Sequence, residues 1–244
     1  MLKLLGYLFA AGKLGKVALT GGTMILSVFA YALVFGWWYA VGFVLLIFVH
    51  EMGHFIAARQ RGLDVGAPTF IPFVGAWIEL KDIPHDVETE AYIGIAGPLA
   101  GTAAAVLCYF MARAYDSNLL LALSYAGFFL NLFNLIPLSP FDGGRITAII
   151  SPRLWLVGVP ILIAMFFWSP SPMLILMALL AAPQVMKAFK YDASAPENVK
   201  YYAVSLEHKL TYGALYLALA AYLAVMSHDV HEMLSHVYKP SVTF

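Results

Sequence analysis

Charge is scarce in this sequence, and one long run lacks it altogether. Only 11% of the 244 residues are Asp, Glu, Lys or Arg, where soluble chains carry about a quarter. None occurs from Val17 to Val49. With 62% hydrophobic residues and a mean hydropathy of +0.81, the composition is that of an integral membrane protein. The 14 basic and 14 acidic residues cancel, which argues against an electrostatic surface for nucleic acid. Cysteine is nearly missing too: Cys108 stands alone in an apolar run, so an intramolecular disulfide and a multi-cysteine metal site are excluded. No internal repeat, low-complexity tract or appended soluble domain interrupts the chain.

What is present is concentrated in two polar clusters. The first is His50-Glu51-Met52-Gly53-His54, an H-E-x-x-H arrangement. On a helix, residues i and i+4 share a face, so His50 and His54 can reach one cation with Glu51 beside it. Two imidazoles and a carboxylate at the end of an uncharged apolar run are costly to bury unless they are paired or ligated. The second cluster is Asn131 and Asn134, then Pro137, Pro140, Asp142, Gly143 and Gly144. The prolines should end or break a helix and the glycines permit a sharp turn, which would project Asp142 toward the bundle. The plainer alternative for Asp142 is an ion pair with Arg145 in a loop.

A crossing needs about 20 apolar residues. The sequence is accordingly read as an all-α polytopic membrane protein of six to seven transmembrane helices. Helix 1 is expected over 17–35, helix 2 over 39–60 after a turn at Gly36-Trp37-Trp38-Tyr39, helix 3 over 90–113 and helix 4 over 118–138. Helices 5, 6 and 7 are expected over 154–168, 173–188 and 210–227. Residues 1–16 are expected to form an interfacial amphipathic helix rather than a signal peptide, because Lys13 and Lys16 follow their short apolar core. Residues 62–88 are broken by glycine and proline and rich in β-formers, which predicts a short interfacial β-hairpin between the second and third helices, turning near Gly75-Ala76. Its apolar Phe70, Ile71, Phe73, Trp77 and Ile78 belong at the membrane interface, and its exposed edge could pair with an extended peptide. Residues 1–244 thus form one membrane domain, with a core at 17–150, the β segment at 62–88, further helices at 151–227 and a polar tail at 228–244. Gly97 and Gly101 are spaced for close helix contact in lipid.

Seven crossings with a cytoplasmic N-terminus put every Lys and Arg except Arg113 and Lys239 on the inner side, as the positive-inside rule requires. The same layout brings the His50–His54 end of helix 2 and the Asp142 end of helix 4 to one depth, on the cytoplasmic side. The two polar clusters can therefore meet. A catalytic zinc site uses three protein ligands and one open position, and His50, His54 and Asp142 would supply two nitrogens and one oxygen. Glu51 would act as general base toward a zinc-activated water attacking a peptide carbonyl, and Asn134 as donor to the developing oxyanion. Asn131, one turn earlier, is expected to hydrogen-bond between helices.

HEMGH in an apolar helix followed by NLIPLSPFDGG resembles the site-2 protease family of intramembrane zinc metalloproteases, with Asn134, Pro137, Asp142 and Gly143 matching its second motif. The resemblance covers about residues 17–150. It implies one zinc ion per chain on His50, His54 and Asp142, the base at Glu51, and a substrate or oxyanion contact at Asn134. It also implies a membrane-protein substrate cut within a transmembrane segment in the lipid bilayer, as in regulated intramembrane proteolysis. Many relatives carry Asn after G-P-x-A on the third core helix, where this chain has Gly101. A multi-pass protein with minimal loops fits a prokaryotic plasma membrane. Two other readings use the same residues: a membrane metal transporter, and an inert relative that binds membrane proteins without cutting them. Substrate, cleavage position and oligomeric state are not legible. The C-terminal His228, His231, Glu232 and His236 imitate the motif, but His231 and His236 are five apart and diverge by about 140° around a helix.

Overall fold

The computed structural model describes the backbone of residues 2–77, 82 and 84–238, and the side chains of 18–76, 82 and 84–237. Side chains 1–17, among them Lys3, Lys13 and Lys16 of the expected interfacial helix, lie outside the described residues, as do Ile78, Lys81, Lys239 and the end of the expected tail.

The architecture is a helical bundle with one small antiparallel sheet. Helix α1 is Leu2–Phe35 and α2 is Trp37–Gln60. The turn between them is tighter than the sequence suggests, because Gly36 alone separates the helices, at φ 84, a left-handed conformation that costs glycine little. The two helices run back antiparallel, with Phe29 edge-on to Trp37 at 5.0 Å and Tyr31 edge-on to Phe43 at 5.1 Å. The amino-terminal stretch is continuous with α1 rather than a separate helix: no proline occurs in Leu2–Phe35, and the helix runs through its glycines, Gly21-Gly22 included.

Strands β1 (Thr69–Ile71) and β2 (Gly75–Trp77) form the hairpin, with Phe70 opposite Ala76. It turns over Pro72 and Phe73, earlier than the expected Gly75-Ala76. Proline supplies the fixed φ of the first corner, Phe73 takes φ 64 at the second, and Val74 N–H donates to Ile71 O at 3.1 Å, the pattern of a type II turn. A non-glycine residue at positive φ needs outside support. Phe73 N–H donates to Tyr31 Oη at 3.1 Å, and its ring lies 5.0 Å from that of Tyr31. Thr20 Oγ1 donates to Pro68 O at 2.7 Å, and Phe70 is buried among Tyr31, Ala40, Val44 and Ile47. The hairpin is thereby seated on α1 and α2.

Helix α3 (Val87–Tyr115) begins at Asp86, whose carboxylate accepts from Thr89 N–H at 2.7 Å, satisfying one of the free amides at a helix start. Helix α4 (Asn118–Asn134) stops short of the expected Leu138. Pro137 disfavours helical geometry at the residue before it and cannot donate a helical hydrogen bond. The chain then folds over itself into α5 (Asp142–Thr147), a separate short helix. A single 3₁₀ turn at Pro152–Leu154 leads to α6 (Trp155–Trp168), α7 (Pro172–Phe189), α8 (Pro196–Tyr201) and α9 (Leu206–Tyr238).

Helix α9 continues past the expected end at 227, so residues 228–238 are helix rather than polar tail. No glycine or proline lies between Gly213 and Tyr238, and Val230 is fully buried within the main core with Phe128 and Leu223. His231 lies against the Tyr125 ring at 5.4 Å. Among the described residues, five helices are long and apolar enough to cross a membrane: α2, α3, α7, and the segments Ala18–Phe35 of α1 and Leu206–Val237 of α9. Two shorter apolar helices, Asn118–Asn134 and Pro152–Trp168, complete the set.

Candidate metal centre

Two helices converge on one point. The fourth and fifth turns of α2 carry His50, Glu51 and His54, and all three are buried, at 3%, 7% and 7% exposure. The first turn of α5 carries Asp142, also 7% exposed. His50 Nε2 lies 3.1 Å from Asp142 Oδ2, and His54 Nε2 lies 3.2 Å from both carboxylate oxygens. The two Nε2 atoms are 3.2 Å apart. One ligand atom from each residue fits within 4.8 Å of the others. Residues 88 positions apart in sequence have been brought together.

Asp142 is delivered by glycine packing. A side chain at Gly143 would collide with Leu135 O, and one at Gly144 with Ser139 N, so the 135–141 turn can wrap directly over the first turn of α5. Trp155 Nε1–H donates to Gly144 O at 2.8 Å and holds the far side. A β-carbon at Gly94 would come within 3.1 Å of that of Arg145, so the glycine lets α5 sit closely on α3. Arg145 does not pair with Asp142. Its Nε instead lies 3.9 Å from Glu90 Oε1, so the loop ion pair that the sequence left open is not formed.

The proton arrangement tests whether these residues suit a metal. His54 Nδ1 is 2.7 Å from Ile93 O. A carbonyl only accepts, so Nδ1 carries the hydrogen and the lone pair of the neutral ring is on Nε2. That lone pair faces Asp142, another acceptor. Acceptors packed this closely repel one another unless a cation lies among them, and two imidazoles with one carboxylate are a zinc donor set. The residues fit the ion. Ile93 gave no sequence signal, because its contribution is a backbone oxygen.

Glu51 makes no hydrogen bond or ion pair among the described residues; the charged groups near enough to act on it are His54, His50, Asp142 and Arg145. Asn134 is half-buried, with Nδ2 donating to Leu130 O at 3.1 Å within its own helix. No contact joins it to the histidines among the described residues. Asn131 does reach them, across from α4 to α2, with Oδ1 at 2.8 Å from His50 Nδ1.

At the end of the bundle where α2 finishes and α3 begins, a second polar network ties in the C-terminal elements. Arg61 lies 3.6 Å from Glu88, which His208 Nδ1 approaches to 2.8 Å. Tyr201 Oη–H donates to Glu90 at 2.6 Å, so Glu90 joins α8 to Arg145 on the helix that carries Asp142. Burial, and then the neighbouring Glu90 charge, hold the Tyr201 phenol well above its ordinary range. Tyr202 is pushed up to about 12 by the same two causes.

An H-E-x-x-H helix and a distant aspartate thus bring three potential metal ligands together within a bundle of membrane-length helices. Residues 38–116 match the model of Peptidase family M50. The chain is similar to zinc metalloprotease MJ0392 of Methanocaldococcus jannaschii, with 36% identity over 124 residues covering 47% of this chain and 36% of that protein. It also resembles the probable zinc metalloprotease EGY1, chloroplastic, of Arabidopsis thaliana, at 38% identity over 72 residues, covering 28% of this chain and 13% of the relative. The matched region thus spans little more than a third of the archaeal relative's length and less of the plant one's. A solved structure of site-2 protease from Methanocaldococcus jannaschii aligns with a TM-score of 0.46 at 24% identity, covering 68% of this chain and 85% of that one. The membrane-length helices and the family together make this an integral, multi-pass membrane protein.

Proposed function

We propose that the chain is an intramembrane zinc endopeptidase that hydrolyses peptide bonds in transmembrane segments of membrane-protein substrates. The observation that carries this reading is the convergence of His50 Nε2, His54 Nε2 and the Asp142 carboxylate beside a buried Glu51 that has no hydrogen bond or ion pair among the described residues. These three residues would hold one zinc ion per chain, which supplies Lewis acidity toward water and toward the scissile carbonyl when bound.

The chain's own groups do the rest. Glu51 accepts the proton of the attacking water and passes it to the leaving amine, a transfer that its position one residue from His50 favours. Asn134 turns its amide from Leu130 O toward the carbonyl oxygen as negative charge develops there. The substrate helix must unwind first, since an intact helix keeps its carbonyls engaged. The edge of the β1–β2 hairpin offers backbone partners to an extended strand, and its seat on α1 and α2 keeps it beside the bundle. The twelve cationic residues of the expected inner side favour a plasma membrane with the N-terminus and active-site end toward the cytoplasm.

The test is cleavage of reconstituted membrane peptides by zinc-loaded wild type and by Glu51→Gln. Loss of cleavage with zinc retained supports the reading. Equal behaviour of the two proteins toward every peptide would sink catalysis for that set.

A further inference from the structure

Asn131 is 1% exposed and takes no part in the reaction described above, yet both ends of its carboxamide are committed. One end lies 2.7 Å from Gly127 O and the other 2.8 Å from His50 Nδ1. Gly127 O can only accept, so the end facing it is the NH₂ group. Oδ1 therefore faces the imidazole, and an amide oxygen also only accepts. His50 Nδ1 must carry the hydrogen, which leaves the Nε2 lone pair facing Asp142 Oδ2 at 3.1 Å.

We propose that Asn131 is a positioning residue that locks His50 in its Nδ1–H tautomer, and that Gly101 is the residue on α3 that makes room for it. A β-carbon at Gly101 would collide with Asn131 Oδ1 and come within 2.8 Å of Cγ. No residue with a side chain fits at 101 while the amide holds this position. The deduction rests on the metal-centre reading for its consequence but not for its proton logic. Without the amide, His50 is free to place a hydrogen on Nε2, where it would point at the metal position and block ligation. His54 needs no such partner, because Ile93 O does the same task for its ring. The two ligands are thus oriented by different chemistry, a backbone carbonyl for one and a side-chain amide from another helix for the other. Groups that orient ligating histidines are commonly worth 10- to 100-fold in metal affinity.

The experiment is ¹⁵N NMR of histidine-labelled, metal-free protein in detergent, with the His50 signal assigned from its absence in His50→Gln, alongside zinc affinity by chelator competition. Wild type should show His50 protonated at Nδ1. Asn131→Leu, close in size but without an acceptor, should lose that preference and weaken zinc binding by roughly 10- to 100-fold. Gly101→Ala should reproduce both effects with Asn131 still in the chain, and the double variant should be no weaker than either single one, since both remove the same contact. Protonation of wild-type His50 at Nε2, or an Asn131→Leu protein that keeps both the tautomer and the affinity, would overturn the proposal. The wild-type spectrum decides even if the variants do not fold. Failure of wild type to bind zinc would remove the metal-centre reading, and the tautomer would still settle the role of Asn131.

Discussion

Gly97 on α3 faces the imidazole of His54 so closely that a β-carbon there would overlap Nε2. The glycine spacing that reads in the sequence as a helix-contact motif is, in the folded chain, a wall of the candidate metal centre. Gly97→Ala is therefore expected to displace His54, lowering zinc affinity at least tenfold and costing about 1–3 kcal/mol in overpacking. Chelator competition and thermal melting in detergent check the two effects separately. An alanine variant with wild-type affinity would show that the ring has room to move.

Zinc content should depend on both arms of the site. Elemental analysis of purified wild type is expected to give one zinc per chain, and Asp142→Ala and His54→Ala should each lose it while remaining folded by circular dichroism. Two donors from one helix hold zinc weakly, and the third comes from α5. Zinc retained at full occupancy without Asp142 would break the three-ligand arrangement.

Glu51→Gln separates binding from chemistry. The amide keeps the shape of the carboxylate but cannot take the proton, so zinc occupancy should be unchanged while cleavage falls by about 10²- to 10⁴-fold. A fall in zinc occupancy of the same size would assign Glu51 to ligation instead.

The Glu90–Tyr201 bond should act as a clasp between the C-terminal elements and α5. Removing the hydroxyl in Tyr201→Phe takes away a 2.6 Å hydrogen bond to a carboxylate. The site is partly solvated, so the loss is expected at about 1 kcal/mol. Limited proteolysis should cut faster in the 189–205 stretch, and an unchanged cleavage rate there would show that α8 is held by its apolar contacts alone.

The same tyrosines give a pH signature. Their phenols are held above the ordinary value near 10, with Tyr202 at about 12, chiefly by burial. A raised pKa means that the folded state keeps the proton longer than the unfolded chain does. This contribution is fully present below pH 10 and is lost as pH rises through about 12. Melting temperatures from pH 9 to 12 should fall less steeply in a Tyr201→Phe, Tyr202→Phe double variant than in wild type. Parallel curves would show that these phenols titrate freely.

The polar clusters were legible because their cost in an apolar chain singles them out. His50 and His54 share a helical face by spacing alone, and Asp142 follows two prolines that stop α4. Less visible was how α5 forms. Its six residues are too few to carry an apolar period, and only the fit of Gly143 and Gly144 under the 135–141 turn shows it as a separate helix. The hairpin turn fell earlier than expected because Phe73 tolerates positive φ only with Tyr31 in place, a contact 42 residues away in sequence. Asn131 could be read as an interhelical hydrogen bonder, but not which helix or which atom it meets.

The sequence by itself determined that this chain lies in a membrane, where most of its long apolar helices run, and which side chains are suited to a metal. Those follow from composition and local period, since an apolar run has one low-energy state in lipid and i, i+4 spacing fixes a shared face. Only the tertiary structure decided that Asp142 turns to the histidines while Arg145 turns to Glu90, and that Ile93 O and Asn131 Oδ1 occupy the two Nδ1 atoms. These choices depend on which helices touch and how closely. At Gly97 and Gly101 that closeness is set by the absence of a single β-carbon, whose effect appears only when the partner helix is in place.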